Sequence, residues 1–243
     1  TNFNHVNINS SLDQVTWSNL NPSVKGNVVC TVEEIDKKSA KMKLEYLVEA
    51  GADDVKTYSV KEEYRFIKGS ERMYLLSFDR YMDSFVFAEN GYIYGDKLML
   101  GITDSDFKYM ESEDGNTYAF VNSKSLYVVN SASNTFGSIY SFYDSKNFDE
   151  RTINDNHDVN IINVDESGNV LFYVYGYFNR GDYEGQVGID FMEYDALLNV
   201  VEEKAFLEYS KPYEVLKNDV DKLSFANEND ELYVYLDDSI YKI

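Results

Sequence analysis

The sequence is poor in three residue types, with one cysteine, two prolines and two histidines among its 243 residues. The single cysteine, Cys30, excludes an intrachain disulfide and any zinc site built from several cysteines. Two prolines are too few for a proline-rich linker or stalk. No apolar run approaches the ~18 residues that a membrane-spanning helix needs. What remains is a chain long enough to bury a hydrophobic core without covalent staples.

Positive charge is also scarce, because 22 Lys and Arg stand against 43 Asp and Glu, for a net charge of -21. Such a surface repels phosphate backbones, so we predict no nucleic-acid partner. It also disfavours binding to bare anionic lipid. Cations and basic proteins are tolerated, and solubility is the simplest role of so much negative charge.

Aromatic residues are abundant, with 22 Tyr and 15 Phe, and aromatic side chains suit a packed β-surface. The first 25 residues predict an irregular arm anchored by Trp17 and Leu20. Residues 28–79 predict four strands, because "KMKLEYLVE" and "TYSVKEEYRFI" alternate apolar and polar residues, a pattern typical of an antiparallel sheet with one wet face. Cys30 lies in "GNVVCTVEEI", where we expect a buried, inert thiol.

After about residue 85 the strands become apolar on both faces. In "VLFYVYGYF", Phe172 and Val174 share one side while Tyr173 and Tyr175 share the other, which suits sheets stacked on both faces. Acidic or Asn-rich turns recur before tyrosine-bearing strands, from "FAENGYIYGDKLML" to "NENDELYVYLDDSIYKI". We therefore predict an all-β chain with an arm and antiparallel sheet over 1–84 and a propeller-like or sandwich-like array over 85–243. One continuous five-blade propeller is the alternative, and "KPYEVLKNDV" predicts a short helix.

The segment "VDESGNVLFYVYGYFNRGDYEGQVGIDFMEYDALLNVVEE" resembles one blade of a β-propeller, and its "MEYDALLN" unit is similar to a corner found in many propellers. The whole chain resembles exterior domains of membrane-anchored Gram-positive proteins, including accessory regulators of cell-wall sensor kinases of the YycH type. The resemblance implies an extracytoplasmic domain of an anchored protein. It transfers no functional residue to this chain.

Catalytic signatures are missing, so we predict no catalytic residue. The histidines are His5, in the arm, and His157, in the polar run "NDNHDVN" where a solvated loop is expected. No G-x-S-x-G nucleophile turn occurs. Four acids flank aromatic residues as the acids of sugar-cleaving sites do, namely Asp182, Glu184, Asp190 and Glu193, but 43 acids make such pairs inevitable.

Metal chemistry is weakly indicated. "NVDESGNV" begins like a calcium-binding EF-hand loop, but the twelfth position, which requires Glu, is Val174. A looser calcium site at Asp165 and Asn169 is the remaining option, against a plain hairpin turn that uses the conformational tolerance of Gly and Asn. We predict the turn, with no metal and no cofactor.

The corner "GYFNRGDYEGQVGID" offers the best candidate binding residues, which are Tyr175, Tyr177, Arg180, Tyr183 and Glu184. Its glycines predict a hairpin between strands 170–178 and 186–194, in which Arg180 pairs with Asp182 or Glu184. A tyrosine platform for a ligand is the competing interpretation.

The resulting hypothesis is a non-enzymatic extracytoplasmic interaction domain that docks a protein or a cell-wall partner. We expect it to be held at the cell surface through a segment that this chain lacks. The alternative is a module that binds or hydrolyses carbohydrate through tyrosine platforms and paired carboxylates.

Overall fold

A computed structural model of the protein describes residues 3–52, 54–84, 93–94, 97–98, 108–143, 151, 156–227 and 229–243. The chain divides into two compact units. The first comprises Thr1–Val86, Leu100–Asp104 and Tyr143–Asn154, and the second Phe87–Met99, Ser105–Phe142 and Asp155–Ile243.

The first unit is built on one antiparallel sheet with the strand order β1-β5-β4-β3-β2. Its strands are β1 (His5–Asn7), β2 (Ser23–Ile35), β3 (Ser39–Ala50), β4 (Lys56–Lys68) and β5 (Met73–Ser84), and the helical turn α1 spans Leu12–Val15. The four strands predicted from alternation are present. The arm adds β1 as a fifth, at the edge beside β5.

One face of this sheet carries the predicted apolar residues. Tyr46, Val48, Val60 and Met82 form its buried cluster, and Trp17 and Leu20 pack against it, as expected of the arm. Arg80 fixes the arm further, because its guanidinium donates to the α1 carbonyls of Gln14 at 2.6 Å and Val15 at 3.1 Å. Basic side chains favour such helix ends, where carbonyls lack helical partners.

The other face differs from the prediction of a wet surface. Lys43 and Glu45 are buried on this face, and Lys43 Nζ lies 2.9 Å from Glu45 Oε2. Leu47, two residues further along β3, is buried too. Cys30 was predicted to be buried, and that prediction is wrong: its side chain is exposed. β2 is an edge strand, and most of its residues are exposed, as Cys30 is.

The described residues of the second unit form three antiparallel sheets and a short ribbon. One sheet joins β8 (Tyr109–Glu111), β9 (Thr117–Asn122), β10 (Ser125–Asn130) and β11 (Thr135–Tyr140); the next joins β12 (His157–Val164), β13 (Val170–Tyr177), β14 (Val187–Asp195) and β15 (Val200–Glu208). The helix α2 (Tyr213–Leu223) precedes β16 (Ser224–Ala226), β17 (Leu232–Leu236) and β18 (Ser239–Lys242), the third sheet. The ribbon pairs β6 (Ile93–Tyr94) with β7 (Lys97–Leu98); the rest of the turn predicted in "FAENGYIYGDKLML" lies outside the described residues.

Strand β13 is buried on both faces, as its sequence predicts. Phe172 and Val174 join a core that includes Leu126 of β10. Tyr173 and Tyr175 join a second core with residues of α2 and β17. The predicted helix is confirmed, and its Leu216 and Val220 enter this second core.

The all-β class is therefore confirmed: an antiparallel N-terminal sheet precedes a propeller-like or sandwich-like array of layered sheets. In the described part of the chain, neither helix has the length and apolar character needed to cross a membrane.

Candidate functional site: a lysine-rimmed cleft around Asp158

Asp158, near the start of β12, is a buried carboxylate met by three lysines from other elements. Lys217 of α2 donates to its Oδ2 at 2.8 Å. Lys124, from the β9–β10 turn, places Nζ 3.2 Å from Oδ1, and Lys108, which precedes β8, places Nζ 3.6 Å from the same oxygen. A helix and one sheet thus supply three lysines to a single acid.

The lysines decide the charge of Asp158. Burial alone would raise the pKa of this carboxyl, but the charges of Lys124 and Lys108 and the hydrogen bond from Lys217 outweigh burial. Together they hold the pKa of Asp158 well below its usual range. Asp158 is therefore ionised at neutral pH, and together with the three lysines it forms a cluster with a net charge of +2.

Polar groups continue from Asp158 along the strands. Asn160 accepts from Lys108 Nζ at 2.6 Å and donates to the Tyr173 hydroxyl at 2.7 Å. Ser224 lies beyond, with its hydroxyl 3.4 Å from that of Tyr173. These residues line a cleft of about 480 Å³ whose wall also includes Asp221 of α2.

A second cleft of about 430 Å³ adjoins the first and shares Lys108, Asn160, Tyr173 and Ser224 with it. Two aromatic residues are added to its lining, Tyr109 of β8 and Phe225 of β16. Their exposed fractions are 63% and 62%. The Phe225 ring stacks on Tyr233, with centroids 5.0 Å apart, so its orientation is supported from one side.

The arrangement offers cations, hydrogen-bonding groups and aromatic faces. The side chains of Lys108 and Lys217 are 42% and 41% exposed, so both ammonium groups reach solvent while contacting Asp158. A polar ligand can therefore meet them without unfolding the cluster. Among the residues with defined positions, no group of three or more His, Cys, Asp and Glu is arranged to hold a metal ion.

No known protein-family model matches this chain, and no curated protein is significantly similar to it.

His157, the neighbour of Asp158, was predicted to be a solvated loop residue, and that prediction is wrong. It begins β12 and is buried. Its Nε2 lies 3.2 Å from the Lys124 carbonyl oxygen, and its ring meets Phe142 edge-on at 4.5 Å. The histidine packs between strands, beside the cluster.

The predicted corner residues are divided between different environments. Tyr175 is fully buried in the second core and donates to Asp221 Oδ1 at 2.6 Å. Tyr183 packs against the first core, stacked on Phe206 at 3.6 Å. Tyr177 is half-buried and Glu184 exposed. The five residues do not form one platform, because Tyr175 and Tyr183 belong to opposite faces of the sheet.

The corner itself is the predicted hairpin between β13 and β14. Gly181 and Gly185 have φ of +85° and +93°, a region that glycine enters at little cost, and Gly185 N donates to Phe178 O at 2.8 Å. Arg180, predicted to pair with Asp182 or Glu184, places Nε 3.0 Å from the Phe142 carbonyl oxygen.

The proposed calcium option at Asp165 and Asn169 coincides with a turn whose carboxylate is engaged. Both Asp165 oxygens accept from Asn169, one from the backbone N at 2.8 Å and one from the side-chain amide at 2.9 Å. Asn169 Oδ1 in turn accepts from Ala196 N at 2.9 Å. The oxygens that a cation would use hold the β12–β13 hairpin.

Asp190 of β14 is a second buried acid in the same sheet. Burial first, and then the nearby charge of Glu203, raise the pKa of Asp190 to about 7. Its Oδ1 has no hydrogen-bond partner among the described residues. Tyr183, whose hydroxyl donates to Glu203 at 2.8 Å, lies close to the pair.

Sequence reasoning missed the lysine-rimmed cleft. Asp158 and Asn160 alternate with the apolar Val159 and Ile161, a pattern that predicts a solvated face for the polar residues and does not indicate a buried cluster. Buried polar residues require partners. The sequence does not say which lysines supply them.

Proposed function

We propose that the protein is a non-enzymatic interaction domain that takes a polar partner into the lysine-rimmed cleft. The observation that carries this proposal is the convergence of Lys108, Lys124 and Lys217 on Asp158 beside two exposed aromatic rings. Concave sites with a few convergent polar groups are the usual form of a binding site. In a chain of net charge -21, a local excess of cations is a specific feature rather than a background one.

The partner we propose is a protein or a cell-wall glycan outside a bacterial cell. This part rests on the resemblance to exterior domains of anchored Gram-positive proteins. It also agrees with a surface that repels nucleic acid.

The proposal is tested by sedimenting the protein with purified Gram-positive cell-wall sacculi that retain their anionic polymers. We expect the wild type to co-sediment and Lys108→Met/Lys217→Met to remain in solution. Lys204→Met is the control, because Lys204 is 37% exposed and pairs with Glu193 on β14 and Glu202 on β15. Wild-type protein that stays in solution would contradict the cell-wall arm. Equal loss in the control would show that net charge, and not the cleft, drives association.

A second candidate function is glycoside hydrolysis at Asp190 and Glu203. Such enzymes usually use two carboxyls, one protonated as the acid and one ionised. Asp190, with a pKa of about 7, can be protonated near neutral pH. A reducing-sugar assay on wall glycans decides this candidate. Activity lost in both Asp190→Asn and Glu203→Gln would support it, and no release by the wild type would end it.

A further inference from the structure

We infer that the ligand of the lysine-rimmed cleft is an anionic saccharide, whose sugar ring lies between Tyr109 and Phe225 and whose acidic group pairs with Lys108 and Lys217. This inference rests on the proposed function and narrows it to a ligand class. The shared chemistry is a sugar that carries a carboxylate or a phosphate.

The aromatic rings indicate a ring-shaped ligand. Tyr109 and Phe225 come from different sheets and line the same cleft. Each exposes more than half of its surface, which a core aromatic would not do. The aromatic face carries negative charge density, so it attracts the slightly positive C–H groups of a sugar face. A buried apolar pocket would instead suit an apolar ligand.

The floor between the rings indicates hydroxyl recognition. Asn160, Tyr173 and Ser224 form a connected series of neutral donors and acceptors, and all three line both clefts. Hydroxyl and amide groups can each donate and accept. This set matches a ligand rich in hydroxyl groups, which also donate and accept.

The charges decide between a neutral and an acidic sugar. The cleft wall carries Lys108, Lys217, Asp158 and Asp221, and Lys124 adds a third cation at Asp158. Counting all five groups as ionised leaves one positive charge in excess. Lys108 lines both clefts, so an acid on a sugar held between the rings would lie within its reach. A charged hydrogen bond of this kind is stronger than a neutral one.

The experiment measures binding by titration calorimetry at low salt. The probes are a galacturonate trimer, a glucose trimer as the neutral counterpart, glucose 6-phosphate as the phosphate source, and a hexaglutamate peptide. We expect the galacturonate trimer or the sugar phosphate to bind at least about tenfold more tightly than the glucose trimer, and binding to weaken as salt screens the lysines. The carboxylate and phosphate arms identify which acid is preferred.

The variants Lys108→Met, Lys217→Met and Phe225→Ala should each weaken the acidic sugar about fivefold or more, by the usual size of a lost charged or aromatic contact. Lys204→Met should bind as the wild type does. Melting temperatures identify unfolding, because Lys108 also donates to Val159 O at 3.2 Å; if Lys108→Met unfolds, Lys217→Met and Phe225→Ala carry the test.

Three results would overturn this inference while leaving the proposed function intact. One is equal binding of neutral and acidic trimers. Another is hexaglutamate binding more tightly than either acidic sugar, which would point to an acidic peptide. The third is wild-type protein that binds none of the probes yet sediments with sacculi. If neither probes nor sacculi bind, the saccharide assignment and the cell-wall arm of the proposed function both fail.

Discussion

Asp158 and Asp190 are buried acids of one sheet, each 7% exposed. Their surroundings shift their pKa values in opposite directions. Asp158 lies among three lysines, which hold its pKa well below the usual range. Asp190 faces Glu203 instead of a cation, and its pKa is raised to about 7. Burial acts in the same direction on both acids, so the partners decide the outcome.

The two acids make opposite contributions to the stability of the second unit. The carboxylate of Asp158 on β12 pairs with Lys217 of α2 and with Lys124 of the β9–β10 turn, so it holds three elements together. Asp190 Oδ1, by contrast, lacks a hydrogen-bond partner among the described residues. An ionised acid in that position costs free energy. The same residue type therefore supports the fold at one site and weakens it at the other.

The substitution Asp190→Asn should have the largest effect on the free energy of unfolding. The ordinary pKa of Asp is ~4, and the folded value is about 7. Protons are thus bound more strongly in the folded state, so stability falls as pH rises from about 4 to 7 and is then constant. The neutral amide removes this loss. We expect the variant to exceed the wild type by about 4 kcal/mol in free energy of unfolding at pH 8, and by little near pH 4.

Urea unfolding at the two pH values measures this difference. Asp182→Asn, an exposed acid of the neighbouring hairpin, is the control and should track the wild type. A difference between Asp190→Asn and wild type that does not change with pH would show that Asp190 does not titrate in this range.

Asp158→Asn should have the opposite sign and a somewhat smaller size. Removing the acid leaves three lysines facing one another, so we expect a loss of about 2 kcal/mol in the free energy of unfolding at pH 7. Because the folded pKa is depressed, the contribution of Asp158 is present above ~pH 4 and decreases as pH falls below it. Urea unfolding at pH 7 and pH 3 measures the change.

Glu193→Gln serves as the comparator for Asp158→Asn. Glu193 pairs with Lys204 on an exposed strand face, where an ion pair contributes only ~0–1 kcal/mol. If both substitutions had the same small effect, the lysine cluster would be no more than a solvated surface network.

Glu203→Gln should have the smallest effect and tests why Asp190 differs. Glu203 is the second cause of the raised pKa, after burial. Its neutralisation should lower the pKa of Asp190 by less than ~1 unit, since burial remains. Carboxyl carbon NMR titration of Asp190 reads this directly, with Glu202→Gln as the control on the same strand. A fall to the ordinary value of ~4 would make Glu203, and not burial, the dominant cause.

Four features could be predicted from the sequence: the all-β class, the burial of both faces of "VLFYVYGYF", the arm anchors Trp17 and Leu20, and the hairpin corner at Gly181 and Gly185. These follow from alternation and from backbone preferences, which act between residues close in the chain.

Tertiary structure alone decided the lysine-rimmed cleft, the burial of His157 and the exposure of Cys30. Each depends on which layer covers a strand, and covering layers come from distant parts of the chain. The alternation around Asp158 predicts only that it lies on the face opposite Val159 and Ile161, and the packing of α2 and the β9–β10 turn against β12 brings Lys217 and Lys124 to it. The pKa of Asp190 likewise depends on packing, because burial and the nearby charge of Glu203 raise it.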